Sequence, residues 1–300
     1  MKVKNLVFAG LFLISGTTIV SAQINLSFNP EKGKKYEYRQ ELNQNIKQNM
    51  MGQEIPMETE MNVTYLMEIM DVKAEEIQTQ FTYKEFAYII SSPMMKMGYD
   101  SKNPVEDPTF LDQLFGSMFG TLIDKPFTVI IAPDGSIKSV TGMKEIVDSM
   151  VGETGNDQMA SQIGGQMKMQ FNDDAMKNML EQSFKIYPNR AVKKGDSWNL
   201  QSTTEINNIN VLSKTKYILK DVSKNTAIVL VESEIAMKPG ESMEGNLSGT
   251  QTGTISIDPK TGMSLSGETT QIIKGVMQIQ GFEVQLDINS KTKIATKEVK

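Results

Sequence analysis

From Lys35 the chain alternates almost without exception. Tyr36, Tyr38, Gln40, Leu42, Gln44 and Ile46 fall on one parity, and Lys35, Glu37, Arg39, Glu41, Asn43, Asn45 and Lys47 on the other. A period of two excludes a helix and prescribes a strand with one buried and one wet face. After Gly52 a second run places Met57, Met61, Val63, Tyr65, Met67 and Ile69 inward, with Glu58, Glu60, Asn62, Thr64 and Glu68 opposite. A third holds Ile77, Thr79, Phe81 and Tyr83, then changes parity to Phe86, Tyr88 and Ile90. One extra residue near Lys84 and Glu85, a β-bulge, accounts for the switch. Long strands in this order form a meander that curves into an open barrel or a large sheet.

The middle of the chain has another period. Asp107-Pro108 opens a helical stripe of Phe110, Leu111, Leu114, Phe115, Met118, Phe119 and Leu122. Further helices are expected over Gly142–Val151, over the Met-rich Asp157–Phe171, and over Asp173–Lys185, which turns Met176, Met179, Leu180 and Phe184 inward. Tyr187-Pro188 stops the last one. Strands resume after Gly195, with Trp198, Leu200, Ile206, Tyr217 and Leu219, and end in a long strand carrying Val276, Phe282, Val284, Leu286 and Ile288. The polar, basic end "NSKTKIATKEVK" reads as a fraying strand terminus.

Three blocks recur in the same order. "EKGKKYEY" matches "VKKGDSWNL", setting Gly33 against Gly195 and Tyr36 against Trp198; "YLMEIMDVKAEEIQTQFTY" matches "YILKDVSKNTAIVLVESEI", setting Tyr65 against Tyr217; and "FTVIIAPDGSIKSVTG" matches "GTISIDPKTGMSLSG", two hairpins closed by Gly135 and Gly262. Trp198, the sole tryptophan, then becomes a core anchor at the end of a sheet, as Tyr36 is in the first copy. The fold class is α+β, mostly antiparallel: two related meander or half-barrel sheets with a helical segment between them. The expected division is a leader at 1–22, a first β unit at 23–141 with an inserted helix at 107–122, a helical segment at 142–190, and a second β unit at 191–300; the two units are compatible with one continuous domain.

The leader rests on Lys2 and Lys4, the apolar Leu6–Ile14 and the small-residue site Val20-Ser21-Ala22 before Gln23. Gly10, Ser15, Gly16, Thr17 and Thr18 interrupt a membrane anchor, so the mature chain is expected to be exported and soluble, in the periplasm or outside the cell, without a transmembrane segment. Beyond the leader, 29 basic residues face 36 acidic ones, a net charge of about −7 that disfavours nucleic acid.

The layout resembles a family of uncharacterised exported proteins of Gram-negative bacteria, a domain of unknown function. The likeness is carried by Lys32–Tyr38, the "Y-x-x-E-I" pattern at Tyr65–Ile69, the hairpin Pro133–Gly142 and the "V-x-x-G-D-S-W" block at Val192–Trp198. These are turn and core residues, and the resemblance implies no catalytic residue. More distantly, strands wrapped over helices resemble the half-barrels of periplasmic lipoprotein carriers, which hold acyl chains in a concave apolar face.

The chain contains no His and no Cys, which removes a histidine base, a Ser-His-Asp triad, a thiolate nucleophile and an ordinary zinc site. Ser290-x-x-Lys293 and Lys260-Thr261-Gly262 imitate penicillin-binding signatures, but in reversed order and without S-D-N. Glu58, Glu60 and Glu68 stand along one strand and do not face each other across a cleft, as a glycosidase requires. The expectation is therefore a non-catalytic protein with no cofactor. Its 22 methionines suggest a flexible interior for an apolar ligand such as a lipid, lined by Met57, Met61, Tyr65, Met67, Phe115, Met118, Met176 and Met179. The alternative is an envelope module that engages other proteins and has no small-molecule site. A smaller one is a Cu(I) site from the M-x-M pairs Met95/Met97 and Met167/Met169.

Overall fold

The computed structural model describes residues 23–50, 52–152, 164–165, 168, 171–206, 209–239, 245–279 and 282–300. The alternation seen in the sequence becomes β1 (Lys35–Met50), β2 (Gln53–Lys73) and β3 (Glu76–Ser91). Then come β4 (Lys96–Asp100), helix α1 (Phe110–Gly120), the hairpin β5 (Pro126–Ile131) and β6 (Ile137–Thr141), and helices α2 (Met143–Gly152) and α3 (Asp173–Phe184). The second half holds β7 (Ser197–Ile206), β8 (Ile209–Val222), β9 (Ala227–Pro239), β10 (Gly245–Ile257), β11 (Ser264–Ile279) and β12 (Phe282–Val299). All twelve strands form one sheet in the order β6-β5-β3-β2-β1-β12-β11-β10-β9-β8-β7, with β4 also on β3. Every neighbouring pair is antiparallel. The sheet curls so that both terminal strands, β6 and β7, touch α3.

The expected bulge falls in β3: Thr64 faces Glu85 and Tyr65 faces Tyr83, leaving Lys84 as the extra residue. Helix α1 starts later than Asp107, at the N-cap Thr109, because Thr109 and Asp112 form a reciprocal capping box. Asp173, in the first turn of α3, accepts from the backbone N–H of Met143 at 3.0 Å and so also caps α2. Most of the expected helix Asp157–Phe171 lies outside the described residues.

The repeat is visible as identical local wiring. Gly33 N–H donates to Ile69 O and Gly195 N–H to Leu219 O, each at 2.8 Å. Each β unit then has a bulge two residues on, before Asp71 and before Asp221. Each aspartate pairs with a lysine of the entry turn, Lys32–Asp71 and Lys194–Asp221, both at 2.9 Å. This wiring equates Tyr36 with Trp198 as expected, but equates Tyr217 with Met67 instead of Tyr65. A shift of two residues keeps every side chain on its face, so alternation alone does not detect it.

Two further expectations are corrected. Val276 and Val284 do not share one strand face: Val276 lies in β11 opposite Gln285, and Met277 is the residue opposite Val284. The polar C-terminus does not fray. It is the second half of β12, paired with β1 from Lys35 to Asn45 on one side and, up to Ala295, with β11 on the other. Its lysines lie on the outer face, where Lys291 meets Glu268 and Lys297 meets Glu37.

The two units meet at one end of the sheet through the segment 24–29. Ile24 exchanges backbone hydrogen bonds with Val192, Phe28 N–H donates to Pro133 O, and Asn29 N–H donates to Thr261 O. These tie the entry to the first unit onto both hairpin turns and onto the entry to the second. Phe28 packs edge-on against Phe184, and the Tyr187 hydroxyl donates to Gly262 O at 2.6 Å. Gly262, at φ 73°, lies where a β-carbon would strike Ser27 O; Gly135, at φ 83°, lies likewise against Phe184 O.

Gly262→Ala is therefore expected to cost about 2–4 kcal/mol in denaturant unfolding, through both strain and backbone overlap. Gly33→Ala has the same sign of φ but open space around it, and should cost only about 1 kcal/mol. A second expectation concerns alkali. Burial pushes the phenols of Tyr36, Tyr38, Tyr83 and Tyr217 up to about 12 from an ordinary 10. A proton held more tightly when folded means stability is complete below pH 10 and falls as the pH rises towards 12. Tyrosinate absorbance of these groups should rise together with loss of structure, and not before it.

Candidate ligand-binding groove

Direct cross-strand partners share a face, so the register defines rows that run across the inner surface. At the end closed by segment 24–29 these rows are apolar and filled. Tyr65, Met67, Phe115, Met118 and Met176 belong to one continuous buried core, with Met67 and Met118 at 0 % exposure. Tyr65 contacts Tyr83, Phe81 and Phe127, and Phe119 of α1 lies 4.8 Å from Phe86 between ring centroids. Helices α1 to α3 thus occupy the inner face of the first unit.

Of the remaining methionines named from the sequence, Met61 is half-buried against this core and Met57 half-buried further along β2, while Met179 is exposed. Met97 is half-buried against the same core and Met95 stands half-exposed in the turn before it; Met167 and Met169 lie outside the described residues. Trp198 is 7 % exposed, stacks on Tyr217 at 5.6 Å and 15°, and donates its indole N–H to Ile186 O at 3.0 Å. The indole is fully engaged within the protein, which is how a core anchor behaves. Glu58, Glu60 and Glu68 are on the outer face, where Glu68 pairs with Lys35 at 3.1 Å.

The second unit differs. Its inner face borders a groove of about 320 Å³ between α3 and strands β7 to β11. Asn178, Glu181, Gln182 and Lys185 form the helical wall; Glu181 and Lys185 are paired at 2.7 Å. Leu200, Val211, Tyr217, Val231 and Ile235 supply apolar lining, and Thr215, Ser233, Gln251 and Gln271 polar lining. Burial pushes the Tyr217 phenol up to about 12, with a hydrogen bond to Thr215 opposing, so the groove wall there is neutral.

The polar lining residues belong to a longer row. Thr59, Gln44, Ser290, Gln271, Gln251, Ser233 and Thr215 are successive direct partners across seven strands, β2-β1-β12-β11-β10-β9-β8. The next row outward is apolar: Met57, Ile46, Ile288, Ile273, then Gly249 and Ile235. Ile235 and Ile273 form with Leu247 and Met277 a second buried cluster, distinct from the main core and built of strand residues alone.

Gly245, Gly249 and Gly253 of β10, and Gly267 and Gly275 of β11, occupy this inner face as partners of Met277, Ile273, Thr269, Ile294 and Leu286. A β-carbon at Gly245, Gly249, Gly253 or Gly275 would strike the backbone of the neighbouring strand, so these glycines mark a close approach of β10 and β11. Sequence reasoning missed these residues. The available signal was the four-residue spacing of Gly245, Gly249 and Gly253, which puts all three on one side of a strand.

Among the described residues no helix is long and apolar enough to cross a membrane, and no cluster of three or more Asp and Glu side chains is placed to hold a metal. No curated protein matches the chain. Among solved structures, one described as lipid–protein interactions in lipovitellin is similar at 12% identity and a TM-score of 0.49, over 89% of this chain and 25% of that one. This chain thus spans a quarter of that protein's length. An outer membrane channel from Pseudomonas putida F1 is similar at 8% identity and a TM-score of 0.25, over 90% of this chain and 98% of that one. At these scores the likenesses carry no argument about what this chain binds. A family described only as of unknown function, DUF6263, matches residues 74–264, from the start of β3 to the start of β11. The chain belongs to the DUF6263 family of unknown function.

Proposed function

We propose that this protein is a non-catalytic binder of an apolar or amphiphilic small molecule, held on the inner face of its second β unit. The observation that carries this reading is the contrast between two related units. One inner face is filled by α1 to α3; the other keeps a groove of about 320 Å³ between α3 and its strands. Apolar lining next to a few placed polar groups is the usual make-up of a small-molecule site. Met67, Met118 and Met176, named from the sequence, are packed in the main core. The leader-like first 22 residues support an exported location.

Protein stripped of lipid should bind an uncharged apolar fluorophore such as N-phenylnaphthylamine at one saturable site. Val211→Asp places a carboxylate in the groove lining and should weaken that binding more than tenfold, about 1.4 kcal/mol. Asn210→Asp, on the outward face next to it, should leave it unchanged. Trp198 emission checks that both variants are folded. No saturable binding by the wild type, or equal binding by Val211→Asp, would sink this reading.

A further inference from the structure

We propose that the polar row across the inner face is a head-group site, and that the ligand is an amphiphile with an uncharged, hydroxyl-bearing head such as a sugar. This rests on the binding reading above and names its ligand class. The row holds only hydroxyls and carboxamides, and three of its members, Thr59, Ser233 and Ser290, are 6–7 % exposed. Polar groups at inward positions this deep need hydrogen-bond partners. Both flanks of the row find them internally: Gln44 donates to Ser290 at 2.9 Å, and Thr215 and Ser233 share a bond of 2.9 Å.

The centre of the row does not. Gln251 and Gln271 face each other across β10 and β11, both line the groove, and neither carboxamide bonds to a protein group among the described residues. Two adjacent carboxamides offer donors and acceptors together, which is what a head with several hydroxyls requires. Adjacent strands bring such groups up at intervals of about 4.8 Å, so one head can engage two or three of them.

Charge argues the same way. The inward residues of β8 to β11 include no ionisable group except the neutral phenol of Tyr217; Lys214, Lys216, Glu232, Glu234, Glu268 and Lys274 all point outward. Among the described residues the only charges lining the groove, Glu181 and Lys185, neutralise each other at its helical wall. An ionised head on this row would be desolvated without a counter-charge, a costly arrangement. Beside the row the chain of the amphiphile meets Val211, Val231 and Ile235, which line the same groove.

The test holds the chain constant and changes the head: dodecyl maltoside, dodecanoate and dodecyltrimethylammonium, each titrated calorimetrically below micelle formation into the full protein. The maltoside should bind at least tenfold tighter than either charged compound. In Gln251→Leu/Gln271→Leu that preference should vanish while the dodecyl chain still binds. Thr252→Val/Thr270→Val, a direct pair on the outer face of the same strands, should retain it. Equal affinity for all three heads in the wild type overturns the head-group site yet leaves the binding reading standing. Tighter binding of a charged head overturns it too, and no binding of any compound sinks both. The head comparison in the wild type needs no variant, so misfolding of the double leucine protein does not shield the proposal.

Discussion

Everything on the inner face depends on the register of β12. This strand lies between the first strand of one repeat and the last strand of the other, pairing with β1 from Lys35–Val299 to Met50–Val284. A slip of one residue would turn every inward side chain of a unit outward. With the observed register, rows begun in one unit continue into the other, and Gln44 meets Ser290, which in turn lies opposite Gln271. The polar row and the apolar row beyond it are therefore products of the junction, not of either repeat alone.

Given one sheet, the two units are distinguished by what is inserted. The first receives α1 after β4, and α2 and α3 after β6, and these fill its inner face with Phe115, Met118, Met150, Met176 and Leu180. The second runs from strand to strand, β7 to β12. Closure at the other end comes from segment 24–29, whose bonds to Val192, Pro133 and Thr261 hold the entry turns and hairpins of both units together. Trp198 belongs to that closure through Ile186 and Tyr217. A rigid, closed base and an unfilled upper groove are thus parts of one arrangement.

Much of this was legible in residue order. Parity gave β1 to β3 and the bulge at Lys84 because one wet and one dry face leave a strong local pattern. The repeat was readable from the Gly33 and Gly195 turns because each supplies the same backbone donor to the second strand of its unit. The exact equivalence of Tyr217 was not, since a shift of two is silent in parity. The C-terminal strand was misread because its stability comes from partners far away in sequence, and its lysines say only that one face is wet. The groove was illegible for a related reason: methionine has the same pattern whether it fills a core or lines a cavity. Whether Gln251 and Gln271 face solvent or a groove is decided by strands β8, β9 and β12, not by their neighbours.

The central claim is a location, so the most direct measurement is a crystal structure with a neutral amphiphile whose chain carries bromine. The account predicts an anomalous peak among Val211, Val231 and Ile235, with the head against Gln251 and Gln271. A peak on the outer face, or within the main core at the expense of Met118 or Met176, would contradict it.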